Sequence, residues 1–165
     1  PLGLTATTMK IADYFNDHYF AHGHTYEAHP LTLAPAIAAI NELRSKKLID
    51  RAVEMGDHLN KKLNALKSKH TSIGDVRGIG LFYAVELVKN QITKEPFNTK
   101  EDKVSGKPLL VDKISAEMMK RGVYVQSWVS HFVIAPPLII TKEEIDFAVE
   151  KLDECLSIAD ESLKK

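Results

Sequence analysis

Between His22 and Pro30 the chain reads His-Gly-His-Thr-Tyr-Glu-Ala-His-Pro, with His18 a short way upstream. Imidazoles, a hydroxyl and a glycine are gathered there in a stretch whose composition is that of a loop. Two chemistries suit these residue types. Imidazole is the commonest protein ligand for zinc, copper and nickel, which makes His18, His22, His24 and His29 candidate ligands. A threonine near a glycine, just ahead of a helix, instead offers its hydroxyl and backbone amide to a phosphate, and Thr25 stands in that position. Pro30 can occupy the first helical position beyond, where its missing N–H costs nothing. No carboxylate or cysteine sits at a familiar zinc spacing, so no metal site is assigned. The plainer readings are histidines that hydrogen-bond locally at a surface or interface, and Thr25 as a simple N-cap.

Other candidates are scattered. Arg77, between Val76 and Gly78, could bind an acid or could anchor a turn through carbonyls. Trp128, with Val129 and His131, falls at an expected hairpin tip, where an exposed indole marks a contact or packs under the polar stretch before it. No lysine lies in an apolar setting that would favour imine chemistry. There is no Gly-x-Ser-x-Gly, phosphate-loop or dinucleotide-binding glycine pattern. None of these groups is a complete active site.

The elements that must position them are mostly legible. Residues 1–8 read as the end of a strand, and Met9 to Phe15 as a short helix with Ile11, Ala12 and Phe15 on one side. From Leu31 to about Lys69 the pattern is helical, in one element or in two with a bend near Ser45. Leu48, Ala52, Met55, Leu59, Leu63 and Leu66 recur there at steps of three and four. Val76 to Gly80 punctuates the approach to a strand at Leu81–Val88. Lys89 to Pro108 reads as a long polar surface excursion. Val111 to Lys120 is a helix stopped by Gly122. Val123–Val125 and Phe132–Ile134 are strands of a hairpin, ended by Pro136-Pro137. Thr141 and Glu144 form a capping box for a last helix that buries Ile145, Ala148, Val149, Leu152, Leu156 and Ala159.

The whole chain bounds the answer. It has 165 residues, 44% of them apolar, and 22 basic residues balance 22 acidic ones. That is the make-up of a globular domain rather than a disordered segment. A neutral balance gives no electrostatic case for nucleic acid or an anionic membrane as partner. No apolar run is long enough to span a bilayer and no signal peptide opens the chain. A single cysteine, Cys155, excludes an internal disulfide and fits a reducing compartment, expected to be the cytoplasm. The chain opens on Pro1 rather than Met, and is expected to be a processed product or a fragment. The expected class is α+β: residues 45–165 form a domain with a small, mostly antiparallel sheet covered by helices. Residues 1–44 read as the tail of a larger domain.

Three segments in order are more specific than any one. They are His22–Pro30, Gly74–Leu81 with Glu86-Leu87, and Ile134–Thr141 with Glu144-Ile145-Asp146. Together they resemble the C-terminal half of class III pyridoxal-phosphate aminotransferases, of fold type I, and the resemblance includes the opening Pro1-Leu2-Gly3. Within that family the stretch Glu86–Lys107 and the hairpin look most like enzymes that move ω-amino groups, or the amino group of taurine, to pyruvate. The resemblance implies that the Schiff-base lysine lies upstream of Pro1, so no catalytic residue is expected in this chain, which is predicted inactive by itself. It implies pyridoxal phosphate as cofactor, with His24 and Thr25 contacting the phosphate held by the second subunit of a homodimer. The chain's own large domain would be a further partner, and an amino donor and a 2-oxo acid the substrates. Gln126 and Trp128 would stand at the substrate entrance. Many members have a glycine where this chain has Ala28, and an arginine in the hairpin where this chain has Gln126 or Val133. A rival class is a stand-alone α+β interaction or metal-binding module, which would leave no apolar face exposed on residues 1–44.

Overall fold

In the computed structural model, which describes residues 2–164, the chain falls into two compact units, Pro1–Lys47 and Leu48–Lys165. The second unit opens with α4 (Leu48–Lys69), preceded in the first by α1 (Met9–Ala12), α2 (Tyr14–Asp17) and α3 (Pro30–Ser45). It continues through β1 (Ile73–Ile79), β2 (Phe82–Leu87), α5 (Lys100–Val104), α6 (Leu110–Lys120), β3 (Gln126–Trp128), β4 (His131–Ile134) and α7 (Lys142–Ser162). The sheet runs β1-β2-β4-β3 with every pairing antiparallel. The α+β architecture expected from the sequence is the one observed.

Period-two alternation makes the sheet two-faced. Tyr83, Val85 and Leu87 of β2 and Phe132 of β4 point to one face and are buried. Against them pack Leu59 and Leu63 of α4, Ile114 and Met118 of α6, and Ile145, Leu152 and Leu156 of α7. The apolar stripe read along α4 is buried at Leu48, Met55, Leu59, Leu63 and Leu66. The capping box of α7 is made as expected: Glu144 N–H donates to Thr141 Oγ1 and Thr141 N–H donates to the Glu144 carboxylate. No helix among the described residues is long and apolar enough to cross a membrane.

The structure corrects four expectations. Residues 74–79 belong to a strand, not to the punctuation before one. Gly78 sits opposite Tyr83 in the ladder because a Cβ there would meet the Phe82 carbonyl at 2.2 Å; the real turn is at Gly80, with φ +55°. The first hairpin strand is Gln126–Trp128 rather than Val123–Val125, since the Val125 carbonyl is taken by Ser115 Oγ of α6 at 2.6 Å. Met9–Phe15 is two short turns, α1 and α2, divided at Asp13. Residues 2–8 form no strand, because a strand exists only beside a ladder partner and none is present among the described residues; Pro1 lies outside the described residues. The excursion 89–108 is tied down: Val88 bridges Pro96, and α5 carries its own capping box between Thr99 and Asp102.

The far ends of α4 and α7 are joined by a polar cluster. His70, buried, has Nε2 at 2.6 Å from Asp153 and Nδ1 at 2.6 Å from Asp160, so each ring nitrogen is held by a carboxylate of α7. Ser72 Oγ donates to Asp160 and Lys69 Nζ to Asp153, each at 2.6 Å. Burial resists ionisation of both carboxyls. The hydrogen bonds outweigh it, from Lys69 and His70 at Asp153 and from Ser72 and His70 at Asp160, and hold both below the ordinary aspartate range. A carboxyl depressed in this way stabilises the fold above its unfolded pKa and loses that contribution as pH falls through the folded one. Urea unfolding followed by circular dichroism is therefore expected to show stability dropping as pH falls below about 4. Asp160→Ala should cost about 2–3 kcal/mol at pH 7 and flatten that acid limb.

Candidate functional site

In the first unit the His22–Pro30 segment folds as two successive turns. Glu27 N–H donates to His24 O at 3.0 Å and His29 N–H to Tyr26 O at 3.2 Å. His29 is the N-cap of α3: its Nδ1 accepts from Leu31 N–H at 3.3 Å, and Pro30 is the first helical residue. The cap is thus His29, and the reading of Thr25 as a plain N-cap does not hold. Thr25 is exposed, and the backbone N–H groups of His24 and Thr25 are unspent among the described residues. Ala28 takes φ +51°, the left-handed conformation for which glycine is better suited.

The histidines do not converge. His18 stacks on Tyr14 at 3.8 Å, His22 lies between Phe20 and His24, and His29 packs beside Tyr26. Among the described residues no group of three or more His, Cys, Asp or Glu could hold a metal ion. None of residues 2–47 is buried, and Leu4, Met9, Tyr19 and Leu31 are all open to solvent. That exposure runs against the stand-alone module.

In the second unit the sheet face opposite the helices carries the other candidates. The ladder sets Glu86 of β2, His131 of β4 and Trp128 of β3 in one cross-strand row, with Ala84, Val133 and Gln126 in the next. Gln126 and Trp128 are therefore brought to the same face, both exposed. The hairpin turns through Val129 and Ser130, Val129 with φ +50°. Trp128 is not a bare tip: Lys103 Nζ of α5 lies 3.3 Å from the centroid of its ring.

Arg77 is engaged by the domain's own carboxylates rather than by carbonyls. Its Nη1 donates to Glu86 at 2.6 Å and to Asp75 at 3.2 Å, and Glu86 above all raises its pKa. Burial resists ionisation of Asp75, but Arg77 and Lys67 keep it below the usual aspartate range. Burial, aided by the Arg77 charge and opposed by Glu86, lowers the pKa of His131, which favours the neutral ring. Beside the sheet's end a cavity of about 440 Å³ is walled by Leu59, Met118, Val123, Tyr124, Pro136 and Phe147, with Gln126 also lining it and no lysine. Sequence reasoning missed Lys103 and the row through Glu86 and His131. The alternation along Phe82–Leu87 was the available signal for that row; nothing in the sequence paired Lys103 with Trp128.

This is an α+β unit with one helix-covered sheet face and one open face bearing the polar and aromatic candidates, joined in sequence to a helical segment preceded by the exposed His24–Thr25 loop. Residues 1–156 match the Aminotransferase class-III family, and the chain belongs to it. An uncharacterized aminotransferase of Schizosaccharomyces pombe is 39% identical over 81% of this chain and 29% of its own length. The adenosylmethionine-8-amino-7-oxononanoate aminotransferase of Geobacter sulfurreducens is 36% identical over 94% of this chain and 34% of its own. The solved taurine:2-oxoglutarate aminotransferase of Bifidobacterium kashiwanohense, in complex with PLP and glutamate, is similar with TM-score 0.80 and 34% identity, over 93% of this chain and 34% of that one. The chain thus spans about a third of the length of the relatives it matches.

Ala28 carries a measurable consequence. A left-handed φ at a residue with a Cβ costs about 1 kcal/mol, which Ala28→Gly removes. Hydrogen exchange of the Glu27 and His29 amides, the donors of the two turns, should then slow by up to about five-fold, whereas Ala28→Val should speed it.

Proposed function

We propose that this chain is the C-terminal part of a PLP-dependent aminotransferase that transfers an amino group from an ω-amino acid, an amine or a taurine-like donor to pyruvate or another 2-oxo acid. Residues 1–44 are assigned as the tail of its large cofactor-binding domain and residues 45–165 as its small domain. The enzyme is proposed to be a cytoplasmic homodimer, the single buried Cys155 fitting a reducing compartment.

The observation that carries the reading is the His24–Thr25 loop. Its hydroxyl and amide donors are exposed and unspent, and they stand just ahead of α3, whose first turn is capped by another residue. Bound PLP would supply an electron sink for the substrate carbon that bears the nitrogen. The chain's own contribution is to hold and orient. Thr25 Oγ1 donates to a phosphate oxygen and the His24 N–H gives a second donor, in the dimer to a phosphate carried by the other subunit. Gln126 and Trp128 line the approach for substrate. The proton-shuttling lysine is assigned outside these residues, because every described lysine is exposed or held in an ion pair.

Loss of one hydrogen bond to a charged phosphate is worth about 1.5–3 kcal/mol, and each 1.4 kcal/mol is ten-fold in affinity. In the complete enzyme Thr25→Ala is therefore expected to raise the PLP dissociation constant about ten-fold or more, read from cofactor absorbance after dialysis. Unchanged retention would remove the phosphate role. The chain purified alone is expected to give no amino transfer from taurine to pyruvate, and measurable turnover would sink the assignment of the lysine elsewhere.

A further inference from the structure

β1 reads Ile-Gly-Asp-Val-Arg-Gly-Ile, which runs the same in both directions about Val76 except that Asp75 answers Arg77. Two copies of this strand laid antiparallel about Val76 set Gly74 opposite Gly78, Asp75 opposite Arg77, and Val76 opposite itself. A two-fold interface requires that kind of self-complementarity. β1 is also an edge strand of the sheet. We propose that the outer edge of β1 is a pairing surface for a second copy of this chain, and that the turn at residues 90–95 latches it shut through Gln91 and Lys94. The pairing is independent of the aminotransferase chemistry.

Backbone direction favours this register. Ile79 and Phe82 close the two-residue turn through Gly80 and Leu81, and the closing pair of such a hairpin exchanges hydrogen bonds. Alternation then points the backbone groups of Arg77 and Asp75 toward β2, and those of Gly78 and Val76 toward the open side. No other element bonds to the backbone of Val76 or Gly78 among the described residues, and the Val76 N–H meets the adjoining Asp75 carboxylate. Val76 facing Val76 of a second copy is then a hydrogen-bonded pair, and so is Gly78 facing Gly74. Between them Asp75 and Arg77 face their opposites, and opposite charges directly across an antiparallel pair attract. Ile73 is buried in its own core, so the pairing segment is residues 74–78. The sheet's other edge is closed by α6, where Ser115 Oγ donates to Val125 O and Ser127 Oγ to Asp112, each at 2.6 Å. The latch acts on one half of β1. A register shift between Ile73 and Asp75 leaves Gly74 without a partner on β2. Lys94 Nζ donates to Gly74 O at 2.8 Å and Gln91 Nε2 to Ile73 O at 2.9 Å. Bulges and lysines are the devices that blunt strand edges, and here they occupy the carbonyl that the Gly74–Gly78 pair needs. The turn that carries both side chains is itself fixed. Asn90 Oδ1 accepts from the Ile92 and Thr93 N–H groups, Lys94 N–H donates to Asn90 O at 2.9 Å, and Lys89 N–H donates to Glu95 O at 2.6 Å.

The test is amide hydrogen exchange of the chain, read residue by residue by NMR at low and at high protein concentration. In the unaltered chain the Val76 and Gly78 amides are expected to exchange at rates independent of concentration. In Gln91→Ala/Lys94→Ala both should slow about ten-fold or more at high concentration. The Arg77 and Ala84 amides, bonded within the β1–β2 ladder, should stay slow throughout and report that the sheet is intact. Adding Asp75→Arg sets arginine opposite arginine and should abolish the effect, and adding Arg77→Asp to that variant should restore it. Lys94→Ala alone leaves Gln91 and the Lys89–Glu95 pair in place, and should slow the same two amides if the double variant loses the turn. Concentration-dependent slowing already present in the unaltered chain overturns the latch. Val76 and Gly78 amides that stay fast in both opened variants, or slowing that survives Asp75→Arg, overturn the pairing surface. These readouts involve no cofactor, so they fail separately from the Thr25 experiment.

Discussion

Sheet register decides most of what this protein presents to its surroundings. Val85 and Phe132 face each other at the centre of the ladder and are fully enclosed by α4, α6 and α7. A slip of one residue would carry them into water and drive Glu86 and His131 into the core, so the pairing is strongly specified. Once it is fixed, Glu86, His131, Val133, Gln126 and Trp128 have no choice of side. The open face is a consequence of how the apolar core is packed, and any ligand chemistry there is placed by residues that never meet a ligand.

Two local constraints keep that sheet against its helices. At one end, Gly56 of α4 lies so close to the β1–β2 turn that a Cβ would meet the Gly80 carbonyl at 2.2 Å. Only a helix without a side chain at that point can approach, and only a residue tolerant of positive φ can make the turn. At the other end, His70, Ser72, Asp153 and Asp160 join the last turn of α4 to α7 through hydrogen bonds that leave no buried polar side-chain atom unpaired among the described residues. Such networks stabilise only when fully satisfied, which is why removing one carboxylate should cost more than a surface bond would.

Elements whose signal is local were legible in the sequence. The α4 stripe, the Thr141–Glu144 box, the Gly122 stop and the break near Ser45 each follow from residues within a few positions of one another. β1 was not, because Gly74 and Gly78 resemble turn punctuation like the true turn at Gly80, when their reason for being small is a close neighbour on the next strand or just past it. Val76 and Ile79, three positions apart, give no period-two alternation to set against them. The His70 cluster was equally hidden, since it joins residues 83 and 90 positions apart in sequence. Of the candidate sites, the Thr25 loop was flagged by its residue types and position and favoured for a phosphate by a family resemblance carried by the ordered motifs. Lys103 was not found, because a lysine in a polar stretch looks like any solvated charge until its ring partner is known.

The two candidate sites also differ in what holds them. α3 has Leu31, Leu33, Ile37 and Ile40 exposed and Pro35 within it, so it buries nothing of its own, and a helix of that length is marginal without packing. The Thr25 loop ahead of it, with Ala28 in a strained conformation, depends for its geometry on whatever covers that helix. The Lys103–Trp128 pair depends on no such cover. Its strand is registered by the unit's own core, and its helix is capped by its own Thr99. Phosphate binding by Thr25 is therefore a property to be measured in the complete enzyme. The Lys103–Trp128 contact is a property of the 48–165 fold itself.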